Sequence, residues 1–385
     1  MSFTEINHYV PQWYQRRFLS ANLKEQKFYY LDLAPDKIYR PEGGIHYRKD
    51  CRRLGPASCF AQPHLYTQFF GANATDVIEK HFFGSIDHLG VGAVEFFANY
   101  TLNSDPTAAF HNLVRYLDAQ KLRTPKGLDY IKRISGDGSH QTALQLMKQL
   151  WQLHVTIWME GVWEILSCDQ SDTKFILSDH PVTTYNKQLF PLSKECRYPF
   201  DARIELVGTH TVFPLALNRC LVITNLGYVR NPKINSLNVR ENPRYFAPTL
   251  FDMRKVQTGR QIREHQVQAI NYIIKKRARR YIAAGQKEWL YPEKFLKTTM
   301  WNKLGDKFFL MPDPRKVSFT TRFFGITENG THWASDEYGR FPRDDDPKVK
   351  KLRDTELRAF ENAKKAWDDQ FGKLSVEERD RFLLG

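Results

Sequence analysis

The stretch "KFILSDHPVTTY", residues 174–185, decides how this chain reads. Upstream of it, apolar residues recur three and four positions apart, the spacing of a helix face. From it onward they come in short runs closed by Pro, Asn, Asp or Gly. "ARIELVG" (202–208), "TVFPLAL" (211–217) and "RCLVITNLG" (219–227) have this pattern of strands with tight connections. Working back, helices are expected over 74–100, where Val77, Ile78, Phe82, Ile86 and Leu89 mark an apolar face, over 107–122 and over 139–167. Thr124, Pro125 and the Gly136/Gly138 pair read as breaks between them. "KFYYLDLAPDKIYRP" (27–41) predicts two short strands turning at Pro35 and Asp36 as a hairpin, and 42–73 has no clear period. Working forward, a basic helix is expected from about 260 to 284, with an apolar stripe of Val267, Ile270, Ile274 and Tyr281 and an end at Gly285. Short strands near 307–311 and 317–325 follow, then a last helix carrying Leu357, Phe360, Trp367 and Phe371.

Helices in one block and strands in another indicate the α+β class. The expected architecture is a helix-rich N-terminal half with an N-terminal hairpin, packed with a small, mostly antiparallel sheet, plus a C-terminal extension. Residues 1–285 form the main domain in this reading, and 286–385 the extension, with short strands and a terminal helix. With 42% hydrophobic and 26% charged residues the chain can bury a large core, which excludes disorder as the default. No apolar run is long enough to span a bilayer and the N-terminus has no signal-peptide pattern, so the expectation is a cytoplasmic protein with no membrane partner. Five scattered cysteines without a CxxC pair fit a reducing compartment.

The charge is local. Residues 201–300 hold 18 lysines and arginines against 7 acidic residues, so eleven of the fourteen excess positive charges fall in that quarter. A concentrated surplus creates a field that attracts phosphates. Cations in the C-terminal half of the basic helix, Lys275, Lys276, Arg279 and Arg280, are favoured there by the helix dipole. Arg254, Lys255, Arg260 and Arg263 precede it or sit in its first turn, where the dipole gives no such reason. All eight are therefore candidate nucleic-acid contacts, with DNA or RNA as the partner. GxxxxGK[ST], HExxH and GxSxG are all missing, which leaves nucleotide-loop and standard hydrolase chemistry without a signature. His46, Cys51, Cys59 and His64 have zinc-type side chains, but their spacing does not match the close pairs of structural zinc sites, so zinc is disfavoured.

"HYVPQWYQRRF" (8–18), "LYT" (65–67) before "DVIEKHFFGSID", "AQKLRTP" (119–125), "FILSDHPV" (175–182), "VFPLAL" (212–217) and "INYIIKKRARRYIAA" (270–284) together resemble the DUF4238 family. The likeness spans roughly 7–285. His180 stands where the family usually has Asn, and Asp87 where a second Glu is common. The family has no settled activity, so the resemblance implies candidate positions and not a mechanism.

His8 precedes a short helix started by Pro11, and its imidazole titrates near neutrality, so it is a candidate general base or metal ligand. Gln12 lies in the first turn, where a side chain can reach a ligand beside free N–H groups. Asp179, at a strand end turned by His180-Pro181, is placed to face a cleft, or else to cap nearby backbone N–H groups. Glu79 and Asp87 share a face if one helix continues past Gly84. Arg123, at a helix end, is a candidate phosphate clamp or an ion-pair partner of Glu79 or Asp179. The leading expectation is a nucleic-acid-binding protein acting as a metal-dependent nuclease of bacterial defence or toxin type. There His8, Gln12, Arg123 and Asp179 are catalytic, and Glu79 and Asp179 hold Mg or Mn. A non-catalytic interaction module and a hydrolase of a small phosphorylated molecule are the alternatives.

Overall fold

The computed structural model describes residues 6–20, 25–39, 44–70, 73–240, 256–305, 308–319, 322–336 and 346–383. The chain is mixed α+β, as the order of its textures predicts. It opens with β1 (Ile6–His8) and the single turn α1 (Gln12–Arg16), which Pro11 precedes with its fixed φ. Strands β2 (Phe28–Asp32), β3 (Lys37–Tyr39), β4 (Ile45–Tyr47), β5 (Cys51–Leu54), β6 (Ala61–Pro63), β7 (Gln68–Phe70) and β8 (Asn73–Thr75) follow. The expected hairpin of β2 with β3 does not form. β3 pairs with β4, and β2 becomes an interior strand between β5 and β15 (Tyr281–Ala284). Its Phe28, Tyr30 and Leu31 are buried, and satisfying both edges of so apolar a strand outweighs a local turn. Residues 42–73, without a period in sequence, contain four of these short strands and the start of a fifth, all too short for alternation to register.

A π-helical turn at Ile78–Phe83 runs straight into α2 (Gly84–Ala98), so the helix does continue past Gly84. Ile78 and Ile86 point inward, whereas Val77 and Leu89 are exposed, because the wider turn rotates the apolar face. α3 (Thr107–Leu122) packs on α2 closely enough that a Cβ on Gly90 would stand 2.6 Å from the Tyr116 ring. α4 (Pro125–Ser135) begins directly after α3, with Pro125 at its first position and Thr124 Oγ1 accepting from Gly127 N. The helix expected over 139–167 is three elements: α5 (His140–Leu150), α6 (Val155–Glu160) and the strand β9 (Val162–Ser167). Gly161 ends α6 in an extended conformation where a Cβ would meet Ile223 Cγ2 at 2.6 Å, and "VWEILS" continues as a fully buried strand.

Next come β10 (Leu177–Ser178), β11 (Thr183–Tyr185), β12 (His210–Ala216), β13 (Arg219–Thr224), α7 (Leu226–Arg230), β14 (Gln257–Gln261) and α8 (Glu264–Arg277). "ARIELVG" is not a strand but contributes only an isolated bridge at Leu206. The order β11-β12-β13-β9-β14 makes one sheet, antiparallel except for β9 with β14, and β10-β15-β2-β5 makes a second, wholly antiparallel one. The basic helix is shorter than its pattern implies. α8 stops at Arg277, Arg260 belongs to β14, and Tyr281 begins β15. The stop has a cause: Asp179 accepts hydrogen bonds from the backbone N–H groups of Arg279, Arg280 and Tyr281 at 2.7–2.8 Å, which turns the chain into the sheet.

One core runs from Tyr9 to Leu310 and joins the helices to both sheets; Phe110 stacks on Trp163 at 4.3 Å between α3 and β9. The C-terminal segment adds β16 (Arg322–Ile326), β17 (His332–Asp336), α9 (Pro347–Phe371) and α10 (Val376–Leu383). Phe360 and Trp367 on α9 are buried, while Leu357 and Phe371 are exposed. Trp367 packs in a second cluster with Val162, Tyr228 and Val229, so α9 leans on the main body. Among the described residues no helix is long and apolar enough to cross a membrane.

Candidate functional site

The last turn of α3 feeds two polar centres from adjacent residues. Gln120 and Arg123, three apart, face one side; Lys121 and Thr124, also three apart, face the other.

On the first side Arg123 is 1% exposed and its guanidinium is fully committed. Nη1 lies 2.9 Å from Asp87 Oδ1, Nε donates to Gln120 Oε1 at 2.7 Å, and the group lies over the rings of Phe83 and Tyr116. Gln120 Nε2 donates to the Tyr9 carbonyl at 2.8 Å, and Tyr66, which donates its hydroxyl to the Arg123 carbonyl, accepts nothing further from the opening motif but gives its N–H to Asn7 Oδ1. The opening segment is thus tied to Arg123 through Asn7 and Tyr9. Glu79 stands beside this group on the π-helical turn. Burial raises its pKa to about 7, Arg123 opposing and Asp87 adding to the rise. Glu79 Oε2, Asn7 Nδ2 and Trp13 Nε1 are buried without hydrogen-bond partners among the described residues.

His8 is placed differently. It ends β1, its Nε2 is 3.2 Å from the Ala57 carbonyl oxygen, and burial lowers its pKa against that bond. Gln12 reaches back to His8 Nε2 at 3.5 Å and accepts from Arg16. Asp179, as described, spends both carboxylate oxygens on three backbone N–H groups; burial pushes its pKa up against them. It is arranged as a backbone cap. Among the described residues no group of three or more His, Cys, Asp or Glu side chains is set to hold a metal ion.

On the second side, Thr124 Oγ1 lies 2.7 Å from His180 Nδ1, which joins the Arg-Thr-Pro and Ser-Asp-His-Pro motifs directly. His180 Nε2 is 3.4 Å from Asp201 Oδ2. Around Asp201 stand Lys126 at 2.7 Å, Arg277 at 3.7 Å and Lys121 at 4.0 Å. All five side chains are at most 14% exposed. Burial pushes Asp201 up, but Lys126, the bond from His180 and Lys121 override it and hold the carboxyl well below its usual range. Burial drives His180 down to about 4, so the imidazole is neutral, and it lowers Lys121 as well. Three cations therefore share one carboxylate. Lys126 Nζ also donates to the Arg277 carbonyl, and Arg277 to that of Leu189, but the Lys121 ammonium makes no hydrogen bond among the described residues. Lys121, Lys126, His180 and Asp201 line a cavity of about 210 Å³, whose mouth carries exposed Glu195 and the Arg203–Glu205 ion pair.

Most of the described candidate nucleic-acid residues are engaged within the chain. Arg260 pairs with Glu164 at 2.6 Å and donates to the Phe308 and Phe309 carbonyls. Glu164 is a buried residue of β9 held by that pair, and Glu160 pairs with Arg240. Lys275 pairs with Glu293, Arg279 with Asp129, and Arg280 with Asp32 and Asp36. Arg263 precedes α8 and Lys276 lies over the Tyr272 ring. Arg254 and Lys255 lie outside the described residues. Sequence reading gave no site role to Lys121, Lys126, Asp201 or Arg277. The lysines flanking the Arg-Thr-Pro motif were a visible signal; Asp201, in an irregular loop, had none.

Fold and site together define an α+β protein with a buried, cation-rich pocket at the junction of two helices. Residues 98–288, just under half of the chain, match the family described as Protein of unknown function (DUF4238), which supports the resemblance read from the sequence. The matched stretch contains Lys121, Arg123, Thr124, Lys126, Asp179, His180, Asp201 and Arg277, whereas His8, Gln12, Glu79 and Asp87 precede it. No curated protein and no solved structure matches the chain.

Proposed function

We propose that this chain binds a small phosphorylated molecule in the cavity beside Lys121, Lys126, His180 and Asp201. The observation that carries the reading is the convergence of three buried cations on the single carboxylate of Asp201, with one of them, Lys121, making no hydrogen bond among the described residues. Buried charge is stable only when paired and hydrogen-bonded, and an anionic group seated against Lys121 supplies the missing partner. A compact ammonium suits a phosphoryl oxygen, and neutral His180 adds no charge of its own.

A phosphodiester polymer bound along 254–280 has less support, because Arg260, Lys275, Arg279 and Arg280 are engaged with carboxylates of the same chain. Mg- or Mn-dependent cleavage through Asp179 has less support for the same kind of reason: its oxygens already accept three N–H bonds.

Titration calorimetry with inorganic phosphate and simple phosphate monoesters tests the proposal. Saturable binding is expected, weakened by about ten-fold or more in Lys121→Met through loss of a charge-assisted contact. Absence of binding, or binding indifferent to that change, overturns it. A parallel salt series with duplex DNA and RNA should show no steep salt-dependent binding; a slope near −0.9 per phosphate on duplex DNA would restore the polymer reading.

A further inference from the structure

A second cavity, of about 810 Å³, lies where α9 leans on the edge of the large sheet and on the loop after α7. Its volume is in the range of small-molecule sites. Its composition is one-sided: of the 20 described residues lining it, three are cationic, three are asparagines and none is acidic.

The deep part is aromatic. His210 and Tyr228 are each 5% exposed, Tyr185 3% and Trp367 5%. The His210 ring stacks on Tyr185 at 6.2 Å and meets Tyr228 edge-on at 5.8 Å. Its Nδ1 is 2.9 Å from Thr224 Oγ1, while its Nε2 makes no hydrogen bond among the described residues, though the residue lines the cavity. Burial drives the His210 pKa down to about 3, so this is a neutral ring with one hydrogen-bonding nitrogen to spare. Ala359, Ala363 and Ala366 on α9 keep the opposite wall shallow.

The mouth is polar and positive. Lys187, Lys233 and Arg358 are exposed, and none forms an ion pair among the described residues. Asn302 and Asn362 stand exposed beside them, each offering a donor and an acceptor.

From this arrangement we infer that the cavity is a mononucleotide site, with the base inside against Tyr185, His210 and Tyr228 and the phosphate outside against Lys187, Lys233 and Arg358. A planar heteroaromatic ring uses aromatic walls and a neutral hydrogen-bonding imidazole, and an anionic tail uses unpaired cations at the rim. A fatty or purely apolar ligand would leave the cations idle, and a bare phosphate would leave the aromatic depth empty. The site is built jointly by the family stretch, which contributes Tyr185, His210 and Tyr228, and by α9 beyond it, which contributes Arg358 and the alanine wall. That gives the C-terminal extension a role: it closes a ligand cavity.

Equilibrium dialysis of the full chain with AMP, GMP, CMP and UMP, alongside ribose 5-phosphate and the free nucleosides, tests the inference. At least one mononucleotide should bind saturably, and both the base-free and the phosphate-free analogues should bind about ten-fold or more weaker, since each loses one half of the contacts. Arg358→Ala changes an exposed residue and should weaken the mononucleotide, not the nucleoside. Ala359→Trp should fill the cavity and abolish binding, and circular dichroism checks that both variants are folded. Failure of all four mononucleotides to bind overturns the inference, as does equal binding of ribose 5-phosphate or mononucleotide binding unchanged in both folded variants. Because Lys121 is not part of this cavity, loss of nucleotide binding in Lys121→Met would also move the site elsewhere.

Discussion

Thr124 Oγ1 and His180 Nδ1, 56 residues apart in sequence, lie 2.7 Å apart in a buried contact. Through it the cap of α4 and the turn after β10 become one unit, with Asp201 on the far nitrogen of the ring. His180→Ala strands the Thr124 hydroxyl and one side of Asp201. Chemical denaturation should show a loss of about 1–3 kcal/mol, the cost of leaving buried polar groups unpaired. A loss of a few tenths would mean that the contact does not hold the two motifs together.

Gly127 is required where it stands. A Cβ there would sit 2.3 Å from the Lys121 carbonyl oxygen and 2.4 Å from that of Leu122, both backbone atoms that cannot step aside. Gly127→Ala should destabilise by about 1–3 kcal/mol or more through overpacking, and should also weaken phosphate binding because Lys121 and Lys126 flank the clash. Retention of both stability and binding would show that the α3–α4 junction is not as tight as this.

Asp179→Asn addresses a different role. The amide replaces one acceptor oxygen by a donor facing backbone N–H groups of residues 279–281. The melting temperature should fall, with a free-energy loss of about 1.5–3 kcal/mol for bonds to a charged acceptor, and phosphate affinity of the folded fraction should stay within about two-fold. A stable variant that loses activity toward a phosphodiester would instead make Asp179 a catalytic group.

Glu79 predicts a pH effect with a definite sign. Its folded pKa, about 7, is above the ordinary 4.5, so the folded state holds the proton more tightly than the unfolded state does. Stability from this group is full below about pH 4.5 and is lost as the pH rises through 7. Glu79→Gln removes that loss, so its melting temperature should exceed that of the parent at pH 8 and converge with it near pH 4. An equal difference at both pH values would place Glu79 in solvent.

His180 and His210 act in the opposite direction. With folded pKa values of about 4 and about 3, against an ordinary 6.5, neither ring takes up a proton that the unfolded chain accepts readily. Stability should therefore fall as the pH drops from about 6.5 toward 4. His210→Gln should flatten part of that slope, as followed by thermal melts; an unchanged slope would remove His210 from the account.

The α+β class was legible because periodicity is a local property: helix spacing and short strand runs are written in neighbouring residues. α3 and the inward face of α8 follow from such spacing, whereas the pairing of Asp87 with Arg123 does not. Partnership is not local. Whether β2 pairs with β3 or with β5 and β15 depends on strands about 20 and about 250 residues away, and α8 ends at Arg277 because the Asp179 carboxylate, 98 residues earlier, takes the N–H groups of Arg279, Arg280 and Tyr281. The sequence by itself also determined a local surplus of positive charge. Only the tertiary structure decided how that charge is used: in ion pairs with Glu164, Glu293, Asp129 and Asp32, and in a pocket where Lys121, Lys126 and Arg277 meet Asp201. Coulomb interactions depend on distance through space, and distance through space is what a linear pattern of charges leaves open until the chain has packed.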